Sequence, residues 1–249
     1  MSVERPMAIL QRSADLVQLL ADRGPLTPAE IAEHVDTPRS SVYRLVDALR
    51  DAGLAELLPD SRINLGLRWL RLADAARAGM SEWAGAREVL DNLAGSTQQT
   101  IFLSVPRGDE AICIDWARGE AINILLLKPG RSLPLYAGAA GRITMAFGHP
   151  APENYLARAP FPPFTNRTLT SAAQLAEDIE STRSQGYVIS DGDVTEGIGA
   201  IGAPLFWTTS GGLAGALSLA GLAEELTERR EELKEKLLAA AAALSTSLP

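Results

Sequence analysis

Sulfur and imidazole are scarce in this chain: Cys113 is its one cysteine, and His34 and His149 are its two histidines. A single thiol excludes an internal disulfide and any multi-cysteine metal site, and two histidines do not supply the missing ligands. Cys113 sits inside an alternating apolar run, and nothing in the spacing brings a histidine to it. A buried structural thiol is therefore expected rather than a nucleophile. No set of nucleophile, base and orienting residue suggests itself, so neither catalytic residues nor a cofactor are expected. Long apolar runs are missing as well, since none approaches the roughly 18 to 20 residues that span a bilayer. The opening residues carry Glu4 and Arg5 without an apolar stretch, unlike a secretory leader. With a lone reduced thiol, the expectation is a cytoplasmic protein with no membrane partner.

Positive charge is also in deficit. A formal net charge of -8 excludes a protein that coats nucleic acid indiscriminately, because that mode draws on a general excess of Lys and Arg. Residues 1–66 hold seven arginines, no lysine and ten acids, so any DNA contact there must come from where the arginines are placed. What the chain does have is 46% hydrophobic and 22% charged residues, enough to bury a core, at a length of 249 residues that suits one large domain or two smaller ones.

Helical spacing marks Ala8 to Arg23, with Ile9, Leu16, Val17 and Leu20 as the apolar stripe and Gly24-Pro25 as the stop. Thr27-Pro28-Ala29-Glu30 reads as a capping box with proline at the first helical position, opening a short helix to about Val35. Asp36-Thr37-Pro38 repeats the device, with Thr37 as the expected N-cap of a helix that ends near Gly53. Two short helices joined so tightly suggest a helix-turn-helix. In the second of them Val42, Leu45, Val46 and Leu49 form the buried stripe, which leaves Arg39, Ser40, Tyr43 and Arg44 facing outward near its start. Leu54 to Leu58 and Arg62 to Leu65, around Pro59-Asp60-Ser61, read as a hairpin or wing. A plain small helical bundle with solvated arginines is the competing reading.

Residues 67–80 read as a helix that either packs in a core or links and dimerises, and a second helix follows to about Ala94. From Gly95 the period changes. Thr100 to Val105, Ala111 to Ala117 and Ile122 to Leu127 are β-rich, as are Tyr187 to Ser190, Ile201 to Trp207 and Leu213 to Ala220. Gly138 to Phe147 looks helical, as does Ala173 to Gln185 behind a capping box at Ser171, and a last helix is expected to be capped by Thr227. Strands flanked by helices give an α+β domain with a mainly antiparallel sheet. Gly197-Ile198-Gly199-Ala200-Ile201-Gly202 matches a dinucleotide fingerprint, but Pro204 and Trp207 follow where a long helix is needed, so these glycines read as sheet backbone. Asp191, Asp193 and Glu196 are a weak option for oxygen ligation of a metal and read as a solvated acidic loop.

Leu26 to Ala32, Pro38 to Leu45, Gly53-Leu54 and Ile63 to Gly66, in that order and without long gaps, resemble the winged helix-turn-helix of the IclR family of transcriptional regulators. The resemblance continues through Leu133 to Arg142, Gly186 to Asp191, Ala200 to Phe206 and Ala216 to Gly221. It implies a multidomain chain: an N-terminal all-α winged helix-turn-helix over 1–66, a linker helix over 67–80, and an α+β GAF-like effector domain over 81–249. It implies double-stranded operator DNA, a small-molecule effector and a homodimer or tetramer as partners. Base reading falls to Arg39, Ser40, Tyr43 and Arg44, and Ser41, Arg50 and Arg62 are placed for phosphate, with Thr27 beside them. The implied effector residues are Leu133, Ala139, Ala140, Ser190, Ala200, Ser218 and Ala220. This chain departs from the family at Tyr136, where His is common, Ser190, where Asp is common, Ala200, where Cys is common, and Ala220, where Ser is common. A roomier, more apolar pocket is expected, suited to an aromatic acid or similar aryl compound held at a helix N-terminus. An enzyme or a protein-interaction module with an accessory winged helix are the alternatives.

Overall fold

The computed structural model describes residues 6–35, 37–120, 127–148 and 152–249. The chain divides into two compact units, Met1–Ser81 and Glu82–Pro249. Asp36, residues 122–126 of the expected third β-run, and His149 lie outside the described residues.

The first unit is built from α1 (Pro6–Arg23), α2 (Pro28–His34), α3 (Arg39–Asp51), an antiparallel hairpin of β1 (Ala55–Leu57) and β2 (Ile63–Leu65), and α4 (Arg68–Ala78). Leu16 and Leu20 of α1, Ile31 of α2 and Val42, Val46 and Leu49 of α3 share one core with Ala55 and Ile63 of the hairpin. Ile9 is not part of that stripe; it lies exposed, about two turns before Leu16, where α1 enters the core. Leu26 exchanges both backbone hydrogen bonds with Ile63 and so extends the hairpin to a third short edge. The Thr27 capping box forms in both directions, the hydroxyl accepting from the Glu30 amide and the Glu30 carboxylate accepting from the Thr27 amide. Thr37 is a correction. Its buried hydroxyl donates back to the Val35 carbonyl, so it closes the turn behind α2, and the extended Pro38 stands at the N-cap of α3.

The second unit begins with a short 3-10 turn and α5 (Ala86–Thr97). Strands β3 (Thr100–Arg107), β4 (Glu110–Ala117) and β5 (Ser132–Pro134) follow, then α6 (Gly138–Phe147), α7 (Glu153–Leu156) and α8 (Ala172–Gln185). The chain closes with β6 (Val188–Asp191), β7 (Ile198–Phe206), β8 (Leu213–Leu222), α9 (Ala223–Glu228) and α10 (Arg230–Ser247). The sheet runs β5-β4-β3-β8-β7-β6 with every neighbour pair antiparallel. Thr227 does not cap the last helix: it lies inside α9 and its hydroxyl donates to the Ala223 carbonyl one turn back, while Arg229 separates α9 from α10. The glycines of the fingerprint-like run are sheet backbone at Gly199 and Gly202. Gly202 has a packing reason, since a Cβ there would meet Ala139 and Ile143 at 3.0 and 3.1 Å, so its absence lets α6 lie directly on β7.

Arg142, buried on α6, ties three elements together. Its guanidinium pairs with Asp178 of α8 through both Nε and Nη2, donates from Nη1 to the Ile189 carbonyl of β6 at 2.9 Å, and faces Asp193 at 3.6 Å. Removing one member of such a buried set leaves the others uncompensated. Arg142→Met is expected to lower stability by about 3 to 5 kcal/mol, measured by urea unfolding. Cys113 on β4 is fully buried, and burial first, then the Asp115 carboxylate, push its thiol up to about 12. A maleimide or disulfide reagent at pH 8 is expected to label the native thiol about a thousandfold more slowly than the unfolded one, because the thiolate is the reactive form.

Candidate nucleic-acid interface and effector cavity

The outward side of α3 carries Arg39, Ser40, Tyr43 and Arg44, all exposed, while Val42 and Val46 hold the opposite side in the core. This division follows from the 3.6-residue period alone. Ser41 is half-buried and its hydroxyl accepts from Arg44 at 3.3 Å, which holds that guanidinium along the start of the helix. Arg50, in the last turn, pairs with Asp47 at 3.4 Å. At the tip of the wing Arg62 pairs with Asp60 through Nε and Nη2 at 2.7 and 2.6 Å. That contact lowers the Asp60 carboxyl below its ordinary range and raises the Arg62 guanidinium. Both side chains are about half exposed, at 46 and 49%, so water screens the pair. Thr27, half-buried at the mouth of α2, spends its amide and hydroxyl on Glu30. Arg68 and Trp69, at the start of α4, bond the Ala52 and Leu54 carbonyls at 2.6 and 2.8 Å and so fix that helix against the wing.

In the second unit Leu133, Ala139, Ala140, Ser190, Ala200, Ser218 and Ala220 line one cavity, although nearly ninety residues separate the first from the last. About 510 Å³ of space free of atoms lies within it, part of it open to solvent. The sheet register explains the convergence. Ser190 pairs with Ala200, Ala200 with Ala220, and Ser218 with both Gly202 and Phe102, so these side chains form two adjacent rows across one face. The start of α6 closes the cavity from above. Phe102, Leu127, Val194 and Ile198 complete apolar walls that sequence reading did not single out. Phe102 was visible only as one apolar residue in a β-run, and its partner strand was needed to place it. Tyr136 lies elsewhere, stacked on Phe161 at 4.7 Å with its hydroxyl on the Pro162 carbonyl.

Polar groups gather where α6 begins. Gly138 opens the helix with φ +68°, a backbone conformation that a side chain would strain, and a Cβ there would also meet Leu133 at 2.8 Å. Its amide donates to the Asp193 carboxylate at 3.0 Å. The amides of Ala139 and Ala140 come next, in the turn where a helix has no acceptor of its own, and both residues line the cavity. Asp193 is a correction to the solvated acidic loop. Asp191 and Glu196 are exposed, but Asp193 is 3% exposed and accepts from Gly138, from the Ser190 hydroxyl and, on its backbone carbonyl, from Thr168. The acidic run alone gave no sign of this, since nothing local shows which of three acids turns inward. Among the described residues no group of three or more His, Cys, Asp and Glu is arranged to hold a metal ion, and no helix is long and apolar enough to cross a membrane.

Residues 81–246 match the family model of the bacterial transcriptional regulator IclR C-terminal domain, and residues 9–59 match that of the IclR helix-turn-helix domain. The chain is 27% identical over 239 residues to the HTH-type transcriptional regulator KipR of Bacillus subtilis, covering 95% of each. It is 28% identical over 248 residues to the Pca regulon regulatory protein of Pseudomonas putida, covering 97% of this chain and 83% of that one. The fold matches an IclR homolog from Microbacterium hydrocarbonoxydans, solved with 4-hydroxybenzoate, with a TM-score of 0.81 at 22% identity over 96% of this chain and 98% of that one. With the family model spanning most of its length and its relatives named as regulators rather than enzymes, the chain belongs to the IclR family of helix-turn-helix transcriptional regulators.

Proposed function

We propose that the chain binds operator DNA through α3 and the wing and responds to an aromatic acid or similar aryl compound held in the cavity of the second unit. On this reading 1–66 is the DNA-binding part, 67–80 the linker helix and 81–249 the effector domain. The observation that carries it is the joining of apolar walls to the first turn of α6, whose Ala139 and Ala140 line the cavity where a helix start favours an anion; such a site would suit a ring at one end and a carboxylate at the other. The small Ala200 and Ala220 leave room for the ring. The Microbacterium homolog's complex with 4-hydroxybenzoate supports the same ligand class.

Arg39, Ser40, Tyr43 and Arg44 would read base edges from the start of α3 in the major groove, and Ser41, Arg50 and Arg62 would take phosphates, with Thr27 framing the approach. A second copy of the chain would supply the other half-site. Leu10 on α1, and Leu67 and Leu70 at α4, are 71, 73 and 66% exposed, which supports α1 and α4 as the surfaces of a dimer. The effector would act by preferring one of two states of the regulator, shifting DNA affinity by the difference in its own affinity for the two.

If Arg44 reads a base, Arg44→Ala costs about 1 to 3 kcal/mol of operator binding and relaxes sequence preference, read by fluorescence anisotropy at fixed salt with scrambled DNA as competitor. An equal loss on every sequence would make it a phosphate contact. For the cavity, Ala200→Leu is expected to weaken calorimetric binding of an aromatic acid by at least tenfold by filling the space of its ring. Binding that is unchanged would move the ligand out of this cavity.

A further inference from the structure

We propose that Arg68 and Trp69 are positioning residues of the DNA-reading surface: they tie the first turn of α4 to the end of α3 and to the root of the wing, so that the three move as one piece. This rests on the DNA-binding reading and adds to it the joint through which α4 aims the recognition helix. At the end of α3 the chain turns through Gly53, with φ +69°, whose amide bonds the Arg50 carbonyl while the Leu54 amide reaches back to Leu49. The Ala52 carbonyl, one residue before that turn, takes its partner from outside the helix. Arg68 donates to it from Nη1 at 2.6 Å, a cation at the negative end of α3. Trp69 makes the second tie. Its Nε1 donates to the Leu54 carbonyl at 2.8 Å, and the same oxygen accepts the Gly66 amide at 3.0 Å, so both roots of the wing and the first turn of α4 meet on one atom. A Cβ on Gly66 would meet the Gly53 carbonyl oxygen at 2.4 Å, so the wing root lies directly on the end of α3, and the Arg68 stem passes over Gly53 within contact distance, 3.5 Å from where a Cβ would stand.

The rest of α4 is not anchored in a core. No residue of the helix is buried, and every position from Leu70 to Gly79 is exposed, whereas α3 sends Val42, Val46 and Leu49 inward. Apolar packing therefore fixes α3 but not α4, and the direction of α4 rests on the two ties in its first turn. Without them it hangs on the Gly66-Leu67 link alone. The consequence is mechanical. In a dimer each copy reads one half-site, and the spacing the pair accepts depends on how rigidly each recognition helix is joined to the helix that leads to the rest of the chain. With the ties made, α4 sets the aim of α3 and the wing together. Without them each reading head swings and fits half-sites at several spacings.

Two measurements on the full chain test this. Ala48→Cys on α3 and Ala76→Cys on α4, both exposed, take nitroxide labels, while Cys113 is buried and its thiol stays protonated. With labelled chains diluted in unlabelled ones, pulsed electron double resonance reads the distance within one copy. A single narrow distribution is expected, and Arg68→Met/Trp69→Phe, which removes both donors but keeps most of the apolar bulk, should broaden it roughly twofold or more. Arg68→Lys, whose ammonium can still reach the Ala52 carbonyl, should keep the narrow width. The second measurement uses DNA selected from random sequence by the unaltered chain. Moving its two half-sites a base pair or two apart is expected to cost the unaltered chain roughly tenfold or more in affinity and the double variant roughly threefold or less, read by anisotropy at fixed salt. A variant that merely folds less well loses affinity for both spacings alike, whereas lost aim changes their ratio. Melting curves check that each variant is folded. An unchanged distance distribution in the double variant, or a spacing preference kept in full, overturns the positioning role and leaves the DNA-binding reading standing. If no sequence is enriched from random DNA, that reading falls, and the aiming role falls with it.

Discussion

The second unit is organised around one buried cation, Arg142. Its position on α6 forces two carboxylates to approach it, Asp178 from α8 and Asp193 from the segment after β6, and it also donates to the Ile189 carbonyl. Burying a charge is costly unless it is paired and hydrogen-bonded, so the set forms completely or the helix moves away from the sheet. Once it forms, α6 is pinned close enough to β7 that only a glycine fits at 202, and Asp193 is delivered to the amide that opens α6. The cavity lies under that same helix start. The seating of that helix start on the sheet and the placing of Asp193 against Gly138 and Ser190 both follow from where Arg142 is held.

Much of the architecture was legible in the sequence because it depends on local rules. The Thr27 and Ser171 capping boxes, the buried stripe of α3 and the bounds of Gly138–Phe147 need only a few neighbouring residues to be decided. The failures share a different cause. Thr37 and Thr227 have the right type and spacing for N-caps, yet each hydroxyl had a nearer carbonyl to bond, Val35 for one and Ala223 for the other. Local chemistry offered both options, and the path of the chain chose between them.

The cavity divides in the same way. Its seven residues could be named from the family resemblance, but what joins four of them, Ser190, Ala200, Ser218 and Ala220, is the antiparallel register of β6, β7 and β8, and Leu133 on β5 and Ala139 and Ala140 on α6 are brought to them by the packing of the domain, which no single segment contains. Asp193 was hidden most completely. It sits between two exposed acids, and its burial is decided by Arg142, some fifty residues earlier in the chain, whose own role is invisible without α8 beside it. Long-range ionic contacts of this kind leave no periodic trace, whereas apolar stripes do.

The proposed DNA-binding part would have to serve an anionic partner from a net acidic segment. With ten acids against seven arginines over residues 1–66, there is little bulk attraction for nucleic acid, and on the proposed reading affinity would come from the few arginines presented by α3 and the wing. Several of them are restrained by weak local partners, Arg50 by Asp47 and Arg62 by Asp60, contacts that a phosphate can replace. Such a surface favours specificity over strength, since binding to an arbitrary sequence gains little. It also suits regulation. If operator affinity is a small surplus over opposing charge, an effector coupling of about 1 to 3 kcal/mol, typical of allosteric linkage, is enough to switch occupancy. A strongly basic regulator would need more, because its non-specific attraction would persist in both states.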